Sequence, residues 1–168
     1  MRGIAASVCR MPGATLAVTY LLEGEIDRLC LPAPRPPRFA HRLWQHTCFE
    51  MFIARAGEPG YHEFNFSPSG EWAAYAFACY RDDAVAPCEA LDPKIAMRSA
   101  ATELELDASI RLDRLSPMHC DAKLSIALSA VIEDRDGLLS YWALRHPPGK
   151  PDFHRADAFA LVLDEVRN

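Results

Sequence analysis

Residues 101–114 read ATELELDASIRLDR, and the fold turns on the period of that run. Its Ala, Glu and Leu content suits a helix, yet the apolar positions recur every second residue. Leu104, Leu106, Ala108, Ile110 and Leu112 alternate with Glu103, Glu105, Asp107, Ser109 and Arg111. Successive side chains of a strand point to opposite faces, so the run predicts a strand with one face on a core and the other in water.

The same period extends outward from there. In ATLAVTYLLEG (14–24), Leu16, Val18, Tyr20 and Leu22 fall on one face; in AKLSIALSAVIED (122–134), Leu124, Ile126, Leu128, Ala130 and Ile132 do so. LLSYWALRH (138–146) and AFALVLDEV (158–166) are further candidate strands. Between them lies turn chemistry. PAPRPP (32–37) is a stiff extended connector, SPSG (67–70) and DRDG (134–137) are tight turns ending in glycine, and HPPGKPD (146–152) is a proline-rich loop. No amphipathic helix longer than one or two turns is legible. Eight or more short strands in 168 residues predict an all-β fold, a two-layer antiparallel β-sandwich, with residues 1–168 as a single domain.

The net charge is −5, with Lys and Arg scattered singly, which argues against nucleic acid or an anionic membrane as partner. The apolar N-terminal stretch is interrupted by Arg10, Pro12 and Gly13, unlike a secretory signal, and no apolar run reaches membrane-spanning length. A cytoplasmic location is expected. The six cysteines, Cys9, Cys30, Cys48, Cys79, Cys88 and Cys120, are widely and irregularly spaced with no C-x-x-C. They are expected to be reduced, mostly buried small hydrophobes, and no structural zinc site is implied.

The chemically loaded segment is LWQHTCFEMFI (43–53). As a strand it turns Thr47, Phe49, Met51 and Ile53 to a core, and His46, Cys48, Glu50 and Phe52 the other way. YHEFNFSPSG (61–70) places His62, Phe64 and Phe66 on one face and Tyr61, Glu63, Asn65 and Ser67 on the other. The short RAGEPG link (55–60) makes the two a hairpin, which sets Glu50 beside Glu63 and Asn65 on the face away from the core. GEWAAYAFACYR (70–81) follows, with alanines spacing Trp72, Tyr75 and Tyr80 so that a groove can form beside the rings. Plainer roles stand beside each of these: Glu50 as a solvated carboxylate, His46 as a satisfied histidine at a strand start, Trp72 and Trp142 as core residues. Nothing argues positively for an enzyme. There is no nucleophile elbow, no triad order and no phosphate-binding glycine loop, and the His119–Cys120 neighbours face opposite ways.

Three linked patterns carry a resemblance: W-x-x-[ST]-x-x-E from Trp44 to Glu50, E-F-N-F-S-P-x-G from Glu63 to Gly70, and K-P-D-F-H from Lys150 to His154. From about residue 40 to the C-terminus the chain resembles the bacterial DOMON-like domains, which are related to the family 9 carbohydrate-binding modules. The resemblance implies a jelly-roll type of β-sandwich that binds a sugar or haem. Where the sugar-binding relatives read W-x-D-[ST], this chain has His46 in place of the aspartate. A sugar needs a groove with aromatic platforms and a few directed polar groups. Trp72, Tyr75, Tyr141 and Trp142 are candidate platforms, and His46, Glu50, Glu63, Asn65, Lys150, Asp152 and His154 candidate polar contacts. The same polar set can instead form an internal network that pins the C-terminal loop to the hairpin. Haem, the alternative ligand, needs an axial pair such as Met with His or Lys, for which Met51 and Met118 are the available methionines. Calcium is the other cofactor the resemblance allows; neither has a clear motif. A protein–protein module without a small ligand, including a homodimer through the aromatic groove, is a third possibility. The reading that results is a non-catalytic module binding a carbohydrate-like ligand.

Overall fold

The structure, a computed structural model, describes residues 1–82 and 86–166. Among these, eleven strands run in chain order: β1 (Gly3–Met11), β2 (Thr15–Glu23), β3 (Cys48–Arg55), β4 (Tyr61–Phe66), β5 (Trp72–Phe77), β6 (Ala86–Pro87), β7 (Lys94–Ala100), β8 (Glu103–Arg111), β9 (Leu124–Glu133), β10 (Leu139–Ala143) and β11 (Leu161–Leu163). The one α-helix among the described residues, α1 (Leu112–Leu115), is a single turn. Two antiparallel sheets result. The smaller has the order β1-β2-β8-β7; the larger runs β10-β9-β3-β4-β5-β6. β11 shares the β9 edge with β10, pairing at Leu124–Ile126 while β10 pairs at Ser129–Glu133. The sandwich read from the period of two is the fold observed.

The alternation drives it. Leu16, Val18, Tyr20 and Leu22 of β2 and Leu104, Leu106, Ala108 and Ile110 of β8 are buried on the inner face of the smaller sheet. They pack against Phe49, Met51 and Ile53 of β3, Phe64 and Phe66 of β4, and Ile126 to Ile132 on alternate positions of β9. One polar bond crosses between the layers at the site's position: the Tyr20 hydroxyl donates to the Glu50 carbonyl at 2.7 Å, with its ring 5.1 Å from that of Phe49. The side chain of Glu50 thereby leaves on the outer face with its backbone fixed from beneath.

Three strands escape a sequence reading, of which β6 is only two residues long. In β1, Ile4, Ala6 and Val8 pack inward, but small residues and an edge position weaken the alternation. In β7 only Ile95 and Met97 reach the core. The cysteines also differ from expectation. All six are free, but only Cys48 is buried, while Cys9, Cys30 and Cys79 are exposed. Cys9 illustrates the cause: it has the parity opposite to Ile4, Ala6 and Val8, so the strand turns it outward. No helix among the described residues is long and apolar enough to cross a membrane.

Replacing Tyr20 with Phe removes the bond between the layers while keeping the ring. It is expected to lower unfolding free energy by about 1 kcal/mol, read as a shifted midpoint in urea with an unchanged slope.

Candidate functional site

β3 and β4 pair with Glu50 opposite Asn65 and Phe52 opposite Glu63, and on its other side β3 sets Glu50 opposite Ser129 of β9. The two carboxyls therefore lie on adjacent strands of one face, displaced along the hairpin. In many antiparallel sandwiches such a face is wet. Here the chain beyond β10 folds back over it. Phe153 and Ala158 are buried against Phe52, Tyr61, Ala127 and Val131, with Phe77 and Phe159 beside them.

Between the sheet and this returning segment lies a cavity of about 470 Å³, within the range of roughly 300–1,000 Å³ common for small-molecule sites. Glu50 and Glu63 line its floor. Trp44, Tyr75, Phe77 and Tyr141 supply aromatic walls, and Arg81, Asp152, Phe153 and His154 complete the rim. Trp44 and Tyr141 are 49% and 43% exposed, so the walls are open to solvent.

Burial governs the chemistry of the floor. Glu50 is 4% exposed, and its carboxyl is pushed up to about 8, first by burial and then by the charge of Glu63; a hydrogen bond from Ser129 and the charge of Arg81 oppose this. Burial likewise raises Glu63, against a hydrogen bond from Asn65 and the charge of Arg81. Ser129 Oγ donates to Glu50 Oε2 at 3.1 Å, and Asn65 Nδ2 donates to Glu63 Oε1 at 2.7 Å. Asn65 is itself fully buried and accepts a weak bond from the Cys48 thiol at 3.5 Å.

The rim is tied down separately. Asp152 accepts from the Tyr80 hydroxyl at 2.5 Å and from Arg81 Nη2 at 2.9 Å. Burial pushes Asp152 upward, but these bonds outweigh it and hold the carboxyl below its ordinary value. The Tyr61 hydroxyl receives the Arg81 backbone N–H at 3.2 Å and lies 2.8 Å from His154 Nδ1. Nε2 is 3.7 Å from Glu63 Oε2. Burial first, and then the charge of Arg81, push His154 down to about 4, so near neutral pH it carries no charge.

Of the residues singled out in the sequence, the fold brings Glu50, Glu63, Tyr75, Tyr141, Asp152 and His154 to this cavity, with Asn65 behind them. It places the others elsewhere. Trp72 is 3% exposed in the core between the sheets, its ring edge-on to Phe39 at 5.4 Å, because its parity is opposite to that of Tyr75. Trp142 faces a hollow of about 60 Å³ beside Tyr20 and Leu128, with Nε1 donating to Ser140 at 3.0 Å. That hollow is too small for a sugar ring. His46 precedes β3 rather than belonging to it, and its Nδ1 meets Glu133 at 2.7 Å. Lys150 is exposed and lines none of this cavity. Met51 is buried in the core and Met118 lies in an exposed turn, so neither reaches the cavity as a haem ligand would. Among the described residues no group of three or more His, Cys, Asp and Glu is placed to hold a metal ion. Sequence reasoning left out Trp44, Phe77, Arg81 and Phe153 as lining groups. Phe77 shares the parity of Tyr75 and was recoverable, whereas the others depend on how the chain closes over the sheet.

A carboxyl whose pKa is raised in the folded state contributes stability that is complete below its unfolded pKa, about 4.3, and is lost as pH rises through about 8. Glu50→Gln removes that loss. The variant is expected to melt at the same temperature as the parent near pH 4 and clearly above it at pH 9, each kcal/mol relieved raising Tm by about 2–4 °C. Equal Tm differences at both pH values would show that Glu50 is not desolvated.

No family model matches the chain, and no curated protein matches it. Among solved structures, its fold is similar to that of a putative carbohydrate-binding protein from Bacteroides uniformis, with a TM-score of 0.67 at 14% sequence identity, over 92% of this chain and 75% of the other. At that identity the likeness is one of fold.

Proposed function

We propose that the outer-face cavity binds a carbohydrate and that the protein acts on it by binding alone. The observation that carries this is the combination of open aromatic walls with a buried, directional polar floor in one cavity of sugar size. Tyr75 and Tyr141 offer faces to the apolar side of a sugar ring, and Glu50 and Glu63 offer hydrogen-bonding groups to its hydroxyls. The sandwich is shared with a protein described as a putative carbohydrate-binding one, and the three sequence patterns resemble DOMON-like and family 9 modules; both support the same reading.

The carboxyl pair is read as a binding group: Ser129 and Asn65 each hold one of its oxygens from behind, and both carboxyls line the cavity.

A panel of neutral mono- and oligosaccharides tested by thermal shift checks the proposal, since a ligand at a hundred times its Kd adds about 2.7 kcal/mol of stability. For any sugar that binds, Trp44→Ala and Tyr141→Ala are each expected to weaken affinity roughly tenfold or more. Both side chains are about half exposed, so Tm without ligand should barely move. Binding that survives both substitutions would place the sugar elsewhere.

A further inference from the structure

The charges around the cavity do not balance. Three carboxyls face it: Glu50 from β3, Glu63 from β4 and Asp152 from the returning segment. The one guanidinium on the rim, Arg81, is engaged with Asp152 through both Nε and Nη2, at 3.3 and 2.9 Å. His154 is neutral, Tyr75 from β5 adds no positive charge, and the nearby Lys150 does not line the space. The hydrogen bonds of Arg81 thus go to Asp152, and neither Glu50 nor Glu63 has a cation bonded to it. Each also has a single protein hydrogen-bond donor among the described residues, Ser129 for Glu50 and Asn65 for Glu63; His154 Nε2, at 3.7 Å from Glu63, is beyond hydrogen-bond length. Each carboxyl therefore keeps one oxygen without a protein donor at the cavity.

A bare metal ion does not answer this arrangement, because the described residues hold no cluster of three ligands. An acidic sugar would meet like charge. An ammonium group answers it: it carries the missing charge, brings three N–H donors and is favoured beside the faces of Trp44, Tyr75 and Tyr141. Resting on the carbohydrate reading above, we infer that the cavity selects a sugar with a free amino group, whose ammonium sits against Glu50 and Glu63 between the aromatic walls.

One consequence distinguishes this ligand from a neutral sugar. Glu50, raised to about 8 by burial and by Glu63 with Arg81 opposing, carries a proton near neutral pH in the free protein. An adjacent ammonium favours its ionised form, so an amino sugar is bound with release of a proton, and a neutral sugar is not.

The test is calorimetric titration of the full chain near pH 6.5 with three trisaccharides: glucosamine, its N-acetylated counterpart and cellotriose. Each is run in two buffers of different ionisation enthalpy and at low and high salt. The expected result is that the glucosamine oligomer binds at least about tenfold more tightly than the other two, as a charge-assisted hydrogen bond implies. Its advantage should shrink in high salt, and its enthalpy alone should depend on the buffer. Glu50→Gln with Glu63→Gln should abolish the preference for the glucosamine oligomer over the other two, with the fold verified by circular dichroism and Tm. Equal affinity for all three overturns the amino-sugar inference and leaves carbohydrate binding standing. If no trisaccharide binds but benzyltrimethylammonium does, and the double variant loses it, the preference for a cation stands and the sugar reading falls. If nothing binds, both fall.

Discussion

The site exists because the C-terminal segment covers the outer face of the larger sheet. Until that happens, Glu50, Phe52 and Glu63 are residues of a solvated strand face, with ordinary carboxyls and an exposed ring. Once Phe153 and Ala158 pack on Phe52, Tyr61 and Val131, the central strands β3 and β4 are buried on both sides. His154 is the wedge that makes the cover fit, with ring centroids 5.1 Å from Phe52 and 5.2 Å from Phe77. Its burial is made tolerable by the hydroxyl of Tyr61. The aromatic packing supplies the favourable free energy, and the raised carboxyls are its by-product.

The polar cluster consequently divides into two parts with different physics. Asp152, Tyr80, Arg81, Tyr61 and His154 are well paired with one another and hold the returning segment in place. They behave as the internal network expected of a pinned loop. Glu50 and Glu63 are the remainder, supported from behind by Ser129 and Asn65 but incompletely satisfied. A third set, His46 with Glu133 and Thr47 with the Cys30 carbonyl, fastens the proline-rich connector to the end of β9. The internal network and the candidate binding site therefore involve different residues of the cluster.

How much of this was legible in the sequence follows from which interactions are local. A period of two is local, so the sandwich and the hairpin that sets Glu50 beside Glu63 and Asn65 could be read directly. The same parity, carried into β5, separates Trp72 from Tyr75: Trp72 pairs with Phe66 and shares its inward face, whereas Tyr75 pairs with Glu63 and faces out. Choosing both as platforms gave aromatic identity precedence over strand geometry. Trp142 has the same origin, since it lies opposite Ala130 on the inward face, while its neighbour Tyr141 lies opposite Val131 on the cavity side. The closure of the segment 144–160 over the sheet is not local. Its prolines and glycine announce a loop, but nothing in a linear pattern states which face the loop covers. Arg81 and Phe153, which matter only through that closure, were invisible for this reason.

Two buried carboxyls with one donor each are a standing penalty on the folded state, because a desolvated acid is either charged and poorly solvated or neutral and less able to accept. A sheet of this kind would be more stable with apolar residues at both positions. The surrounding groups do not correct the penalty. Arg81 is within electrostatic reach of both acids, yet its hydrogen bonds go to Asp152, and His154 presents an uncharged imidazole beyond bonding distance of Glu63. Instead, the loop is fastened with the available cation and the floor is left acidic beneath aromatic walls. That allocation is understandable if the counter-charge arrives with the ligand, so that the free energy missing from the empty cavity is recovered only when it is filled.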